Sequence, residues 1–158
     1  MKGAFVVAIF AFVAGCGQMP WSDKVEIVDP RSRLEILEAI FRHQFLNNAS
    51  GGQGTVAAFC LKQGHWDLPS AFLNRFKQVM PPVRAASACE FREGHYVEKS
   101  TGRHALVFYV SELKCGRETC EAMGGYQEGN LSASGNIYRI ERRNGSWTVT
   151  GDQRVWIS

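Results

Sequence analysis

The chain has no long hydrophobic run. Nowhere do 18 or more apolar residues follow one another, so no segment reads as a permanent transmembrane helix. It has no excess of one charge either. Eighteen Lys and Arg stand against 15 Asp and Glu, a net charge of +3, and the basic residues are interspersed with acidic ones, so the electrostatic footprint of a nucleic-acid binder is missing. Internal repeats and low-complexity tracts are absent, which leaves an ordinary folded domain. Two chemical signatures are also missing: the Gly-x-Ser-x-Gly nucleophile elbow and any Cys-x-x-Cys pair. Gly51-Gly52-Gln53-Gly54 is glycine-rich, but it runs from a helix signal into a strand signal. A phosphate cradle runs from strand into helix, so this segment reads as a connector.

What is present begins at the N-terminus. Met1 and Lys2 give a basic start, Ala4 to Ala14 form an apolar run, and the small residues Ala14 and Gly15 lead into Cys16. Val13-Ala14-Gly15-Cys16 resembles the lipobox of bacterial lipoproteins. The resemblance implies a signal peptide over residues 1–15 that is removed, and a lipid-modified Cys16 as the new N-terminus. Each buried methylene contributes about 0.8 kcal/mol, and two or more acyl chains hold a protein stably where one holds it marginally. The membrane partner is therefore reached through the lipid. Gly17, standing where an inner-membrane lipoprotein carries aspartate, implies an outer-membrane address facing the periplasm.

Cleavage leaves residues 16–158, enough chain for one domain with a proper core, and loss of Lys2 lowers the net charge to about +2. With Cys16 assigned to lipid, Cys60, Cys89, Cys115 and Cys120 remain. An even set in an exported protein reads as two disulfides with three possible connectivities. Cys115 and Cys120 flank the turn-like Gly116-Arg117-Glu118-Thr119, where a local bridge is easy, and Cys60 with Cys89 is the remaining pair. A zinc site built from Cys115, Cys120 and a histidine is the rival reading, and the oxidising compartment favours disulfides over it.

Residues 16–29 show no periodicity and read as a tether below a single domain at 30–158. Asp29-Pro30 supplies an N-cap with proline at the first helical position. Leu34, Leu37, Ile40, Phe41 and Phe45 then recur at helical spacing, with Glu38 and Arg42 as an outward i,i+4 pair. Thr55 to Lys62 reads as a strand. A second helix is expected from the Asp67-Leu68-Pro69-Ser70 start, through Phe72, Leu73, Phe76, Val79 and Met80, to the stop at Pro81-Pro82. Strands follow at Val83 to Arg92, His104 to Lys114 and around Met123 and Tyr126. A hairpin of Ile137 to Arg142 and Ser146 to Thr150 turns on Asn144-Gly145. Val155-Trp156-Ile157 reads as a paired end. The order predicts an α+β fold, two helices packed on a curved antiparallel sheet of five to six strands.

A leading helix, a later helix closed by Pro-Pro, a strand meander and the ending Tyr138 to Val149 together resemble the nuclear-transport-factor-like cone and its cystatin-like relatives. The resemblance implies a bent sheet wrapped around a helix, often with a pocket. Such cones sometimes host isomerases or hydratases with a His and Asp pair, for which His65 and Asp67 are the nearest candidates here. Asp67 is more simply explained as part of a helix cap. His43, His95 and His104 have no carboxylate at a meaningful sequence spacing. Phe41, Phe45, Phe59, Phe72, Phe76, Phe108, Tyr138 and Trp147 could line a pocket, but such a set is more often core. The Asn-x-Ser triplets at Asn48, Asn130 and Asn144 carry no weight in a bacterial lipoprotein.

The expectation is thus a non-enzymatic, membrane-anchored domain that binds an envelope protein or polymer, with no catalytic residue, metal, cofactor or nucleic-acid partner. An immunity or inhibitor protein, inserting the Gly116 to Thr119 turn into an enzyme cleft, is one version. A small-ligand carrier or sensor using a cone-shaped pocket is the alternative, and a cone enzyme using His65 and Asp67 ranks below it.

Overall fold

Asp29 opens the first helix as its sequence predicts. In the computed structural model, which describes residues 28–48 and 50–158, its carboxylate accepts the backbone N–H groups of Arg31 and Ser32 at 3.0 and 3.1 Å. The signal peptide, the lipid site at Cys16 and the tether up to residue 27 lie outside the described residues. Helix α1 (Pro30–Asn47) buries Ile36, Leu37, Ile40, Phe41, Gln44 and Phe45 along one face. On its other side Glu38 accepts Arg42 at 2.8 Å and Arg75 at 2.9 Å. No helix among the described residues is long and apolar enough to cross a membrane.

The fold is α+β, with two helices against a curled mixed sheet that forms a half-barrel. The strands are β1 (Ala58–Gln63), β2 (Trp66–Asp67), β3 (Val83–Ala85), β4 (Cys89–Arg92), β5 (His95–Glu98), β6 (Ala105–Cys115), β7 (Thr119–Gly129), β8 (Ser132–Arg143) and β9 (Ser146–Ile157). Nine strands replace the expected five to six. The excess comes from β2 and β5, pieces of two and four residues too short for a pattern to emerge, and from the division of the expected Val83 to Arg92 strand into β3 and β4. Nor is the sheet purely antiparallel: β1 runs parallel to both β3 and β6, while β6, β7, β8 and β9 form an antiparallel meander.

Helix α2 (Ser70–Leu73) is a single turn continued by a 3-10 turn at Asn74–Phe76, and it stops well short of Met80. Its N-cap is Pro69, with no side-chain cap. Asp67 lies in β2 and accepts the N–H of Ser87 at 2.9 Å, so the expected cap role of Asp67 is corrected. The expected continuous strand from Val83 to Arg92 is broken by a 3-10 turn at Ala86–Ala88.

Both disulfides are present, as Cys60–Cys89 and Cys115–Cys120. The first lies on the convex side of the sheet, where Ala58, Cys60, Ala105 and Val107 pack beneath Cys89 and Tyr96. The second closes the β6–β7 turn, where the two cysteines are cross-strand partners. Irregularities in the meander, at Val110/Glu112, Gln127/Gly129, Gly135/Asn136 and Arg139/Ile140, bend the long strands around α1.

The aromatic set fills the concave side. Phe45 stacks on Phe59 at 5.1 Å between ring centroids and meets the edges of Phe108 at 5.3 Å and Phe76 at 5.6 Å. Phe41 adds edge contacts to Phe72 and Phe76. Tyr138 is buried with them and Trp147 is partly buried.

Candidate functional site

Polar groups gather where the C-terminal end of α1 crosses β7, β8 and β9. Gln44 sits on the buried face of α1 and is only 2 % exposed. Its amide nitrogen donates to the carbonyl of Tyr109 at 3.0 Å and to the hydroxyl of Tyr138 at 3.3 Å. Its Oε1 is buried and has no hydrogen-bond partner, a costly state for a polar atom. Trp147 Nε1, toward the other end of β9, is the other such atom among the described residues.

Gly124 makes the approach possible. A Cβ there would lie 2.4 Å from the Tyr109 carbonyl oxygen and 3.0 Å from Gln44 Nε2, so any other residue would expel the amide. Burial pushes the Tyr138 hydroxyl well above the usual phenol range, although Gln44's donated hydrogen bond works the other way. Tyr138 is a neutral phenol throughout the physiological range.

Next to Gln44, the register places Ser134, Asn136, Tyr138 and Asp152 on the concave side. Ser134 donates to Asn136 Oδ1 at 3.0 Å, Asn136 donates to Asp152 Oδ1, and His43 Nε2 bonds Asp152 Oδ2 at 2.8 Å. The chain of bonds thus runs from β8 through β9 to α1. Around it opens a crevice lined by Gln44, Asn47, Tyr126, Ser134, Asn136 and Arg154, with about 10 Å³ of room, enough for one water molecule.

The His43–Asp152 pair corrects the reading that His43 has no carboxylate: the partner is 109 residues away in sequence. Its chemistry is that of a clasp. Nε2 faces Asp152, and Nδ1 lies 3.3 Å from the amide nitrogen of Asn47, so neither ring nitrogen is left for a reacting atom. The other histidines are elsewhere. His65 and Asp67 are both exposed at the β1–β2 hairpin, away from the crevice. His95 and His104 stack on each other with centroids 4.2 Å apart, outside the cone. No group of three or more His, Cys, Asp or Glu with metal-binding proximity occurs among the described residues.

Three exposed apolar side chains belong to segments at this end of the cone. Leu46 on the outer side of α1 is 82 % exposed and Leu131, in the β7–β8 turn, 89 %. The two segments are tied together through Glu128, which accepts the hydroxyls of Ser50 and Ser132 at 2.9 and 2.7 Å. Ile157, half-exposed, pairs with Ser134 at the same end. A wider groove of about 560 Å³ lies outside the cone, between Gln53–Ala57 and Met80–Pro82 with Arg103 at its rim.

The opposite end of the meander carries the turns. Gly116, Arg117, Glu118 and Thr119 are exposed beyond the Cys115–Cys120 bond, and the Asn144-Gly145 turn lies beside them, with both residues at positive φ as its hairpin type requires. Gln44 meets the sheet at Tyr109 and Tyr138 and His43 meets it at Asp152, so α1 runs back from the crevice toward this turn end. Val28 and Leu34, near its start, pack in the same core cluster as Trp147 and Val149. No family model matches this chain, and no curated protein or solved structure is significantly similar to it.

Proposed function

We propose that the protein is a lipoprotein tethered through Cys16, a non-enzymatic binding domain of the cell envelope that holds its partner at the end of the cone away from the membrane. The observation that carries this reading is the placement of features along α1. The tether enters at Asp29, and the crevice with its orphaned Gln44 oxygen opens at Asn47, an 18-residue helix or about 27 Å further on. A partner can reach this end without meeting the bilayer. Leu46, Leu131 and Ile157, exposed on segments at this end, offer apolar contact to a partner beside the polar crevice.

The turn Gly116 to Thr119, where an inhibitor would insert, lies at the tether side, so the crevice end is the better place for a partner. A carrier reading needs a cavity between α1 and the sheet, and that space is occupied by the phenylalanine cluster. The test is cross-linking from a photoreactive residue placed at Leu131, in intact cells, with the same residue at Arg117 as the comparison. A discrete adduct from position 131 supports the reading. Adducts from position 117 alone would favour the inhibitor version, and none from either would overturn both.

A further inference from the structure

We propose that the wide groove outside the cone binds a free fatty acid, with the carboxylate on Arg103 and the chain along Val56, Ala57, Met80, Pro81 and Pro82. The groove, of about 560 Å³, lies at the leading ends of three parallel strands. β1 runs parallel to β3 on one side and to β6 on the other, with Phe59 opposite Val83 and Ala58 opposite Ala105. The residues just ahead of each strand form the lining: Val56 and Ala57 lead into β1, Met80 to Pro82 into β3, and Arg103 into β6. The volume falls within the range of about 300–1,000 Å³ usual for small-molecule sites.

The strand order gives the groove two unlike ends. Because β1 is the middle strand, Met80 to Pro82 and Arg103 lead in on opposite sides of it, across two strand spacings or about 10 Å. The β3 side is apolar. Met80 is 81 % exposed, a large side chain left to solvent. Pro81 and Pro82 have no N–H to offer. The other polar groups here are mostly spoken for: the Ala57 N–H donates to the His104 carbonyl at 2.7 Å, and the Pro82 carbonyl accepts the Phe59 N–H at 3.0 Å. The Gln53 side chain donates to the Phe45 carbonyl and accepts from Asn48. An occupant of this side meets apolar surface and few free hydrogen-bonding partners.

The β6 side carries the charge. Arg103 is exposed and is the one charged residue of the lining. Its backbone is fixed, the N–H donating to Thr101 Oγ1 at 3.3 Å and the carbonyl accepting the Glu98 N–H at 2.9 Å. Its guanidinium has no ion-pair or hydrogen-bond partner among the described residues, whereas Arg84 on β3 is paired with Glu98 at 3.4 Å.

One unpaired cation at the end of an apolar groove calls for a chain with a single negative head. The guanidinium fork matches the two oxygens of a carboxylate, and one cation balances one charge. A saccharide or an added peptide strand needs donors and acceptors along its whole length, which the Met80 to Pro82 side does not supply. An alkylamine would meet like charge at Arg103.

The test follows the Met80 methyl group by NMR in the full-length lipoprotein, isotope-labelled at its methionine methyls and held in non-ionic detergent, as decanoate is added. A saturable shift of Met80 is expected, with Met123 on β7 unmoved. Arg103→Gln should weaken decanoate about tenfold or more, as loss of a charge-assisted hydrogen bond implies. Arg103→Lys should keep part of the affinity, and Arg103→Glu should turn the preference to decylamine. Arg103 stands in the β5–β6 loop and is held by its backbone, so these variants keep the fold, which melting curves and the Met123 signal verify. No saturable Met80 shift, or one that Arg103→Gln leaves at the same midpoint, would overturn the site. So would decanol binding as tightly as decanoate, or decyl phosphate binding tenfold or more tightly, which would assign the groove to a phosphorylated lipid. The groove shares no lining residue with the crevice, so loss of this site leaves a position-131 cross-link standing, and loss of that cross-link leaves this site standing.

Discussion

Replacing Cys60 and Cys89 together by alanine should cost roughly twice the stability lost on replacing Cys115 and Cys120. The bridges close loops with sequence separations of 29 and 5. On the chain-entropy model these are worth about 3.6 and about 2.2 kcal/mol. The native structure widens the gap. Cys60 is fully buried against Ala58, Ala105 and Val107, so losing its sulfur leaves a small void worth up to about 1 kcal/mol. Cys115 and Cys120 lie at the end of a strand pair that Gly116 and Thr119 also close by a backbone hydrogen bond at 2.8 Å. The expected losses are about 4 and about 2 kcal/mol. Urea unfolding of the three oxidised proteins measures them, and the Cys60/Cys89 variant should also show the steeper denaturant dependence, because its unfolded chain is freed from the larger constraint. Equal losses, or a larger loss from the short loop, would refute the argument and place the effect in native packing.

Phe45→Ala removes the ring that joins Phe59, Phe76 and Phe108 and should destabilise by about 3–5 kcal/mol in the same assay. A double-mutant cycle of His43→Ala and Asp152→Ala should show a coupling of about 1 kcal/mol, appropriate to a pair whose side chains are each roughly a quarter exposed; additive losses would show the clasp to be idle. Partial burial raises the carboxyl of Glu38, but Arg42 and Arg75 outweigh it and hold the group below its ordinary 4.5. Because the folded value is the lower one, this contribution is complete above the ordinary value and is lost as pH falls through the folded value. Glu38→Gln should therefore cost up to about 1 kcal/mol at pH 7, and the difference from wild type should shrink in unfolding measured at progressively lower pH, as the wild-type carboxylate protonates.

Local signals were legible where one element carried the whole pattern. Asp29-Pro30 and the apolar spacing from Leu34 to Phe45 specify α1 without help from the rest of the chain, and Asn144-Gly145 specifies its hairpin. The second helix was overread because Phe72, Phe76, Val79 and Met80 keep helical spacing, although the helical turns end at Phe76 and Met80 is exposed. Strand β9 extends past Thr150 through Gly151-Asp152-Gln153-Arg154, a stretch with no apolar alternation that pairing to β8 alone holds extended. The crevice was not legible at all. Gln44 reads as one more polar residue on a helix, and its meaning comes from Gly124 and Tyr109, which only the β6–β7 register brings beneath it. The same holds for His43 and Asp152, which stand 109 residues apart in sequence.

The most direct test of a lipid-tethered, disulfide-stapled binding domain is the intact mass of the protein purified from membranes, measured with thiol alkylation before and after reduction. The account predicts a chain that lacks residues 1–15, carries acyl groups at Cys16, and gains four alkyl groups only once reduced. An unprocessed or unlipidated chain would contradict the tether, and free thiols at Cys60, Cys89, Cys115 or Cys120 before reduction would contradict the staples.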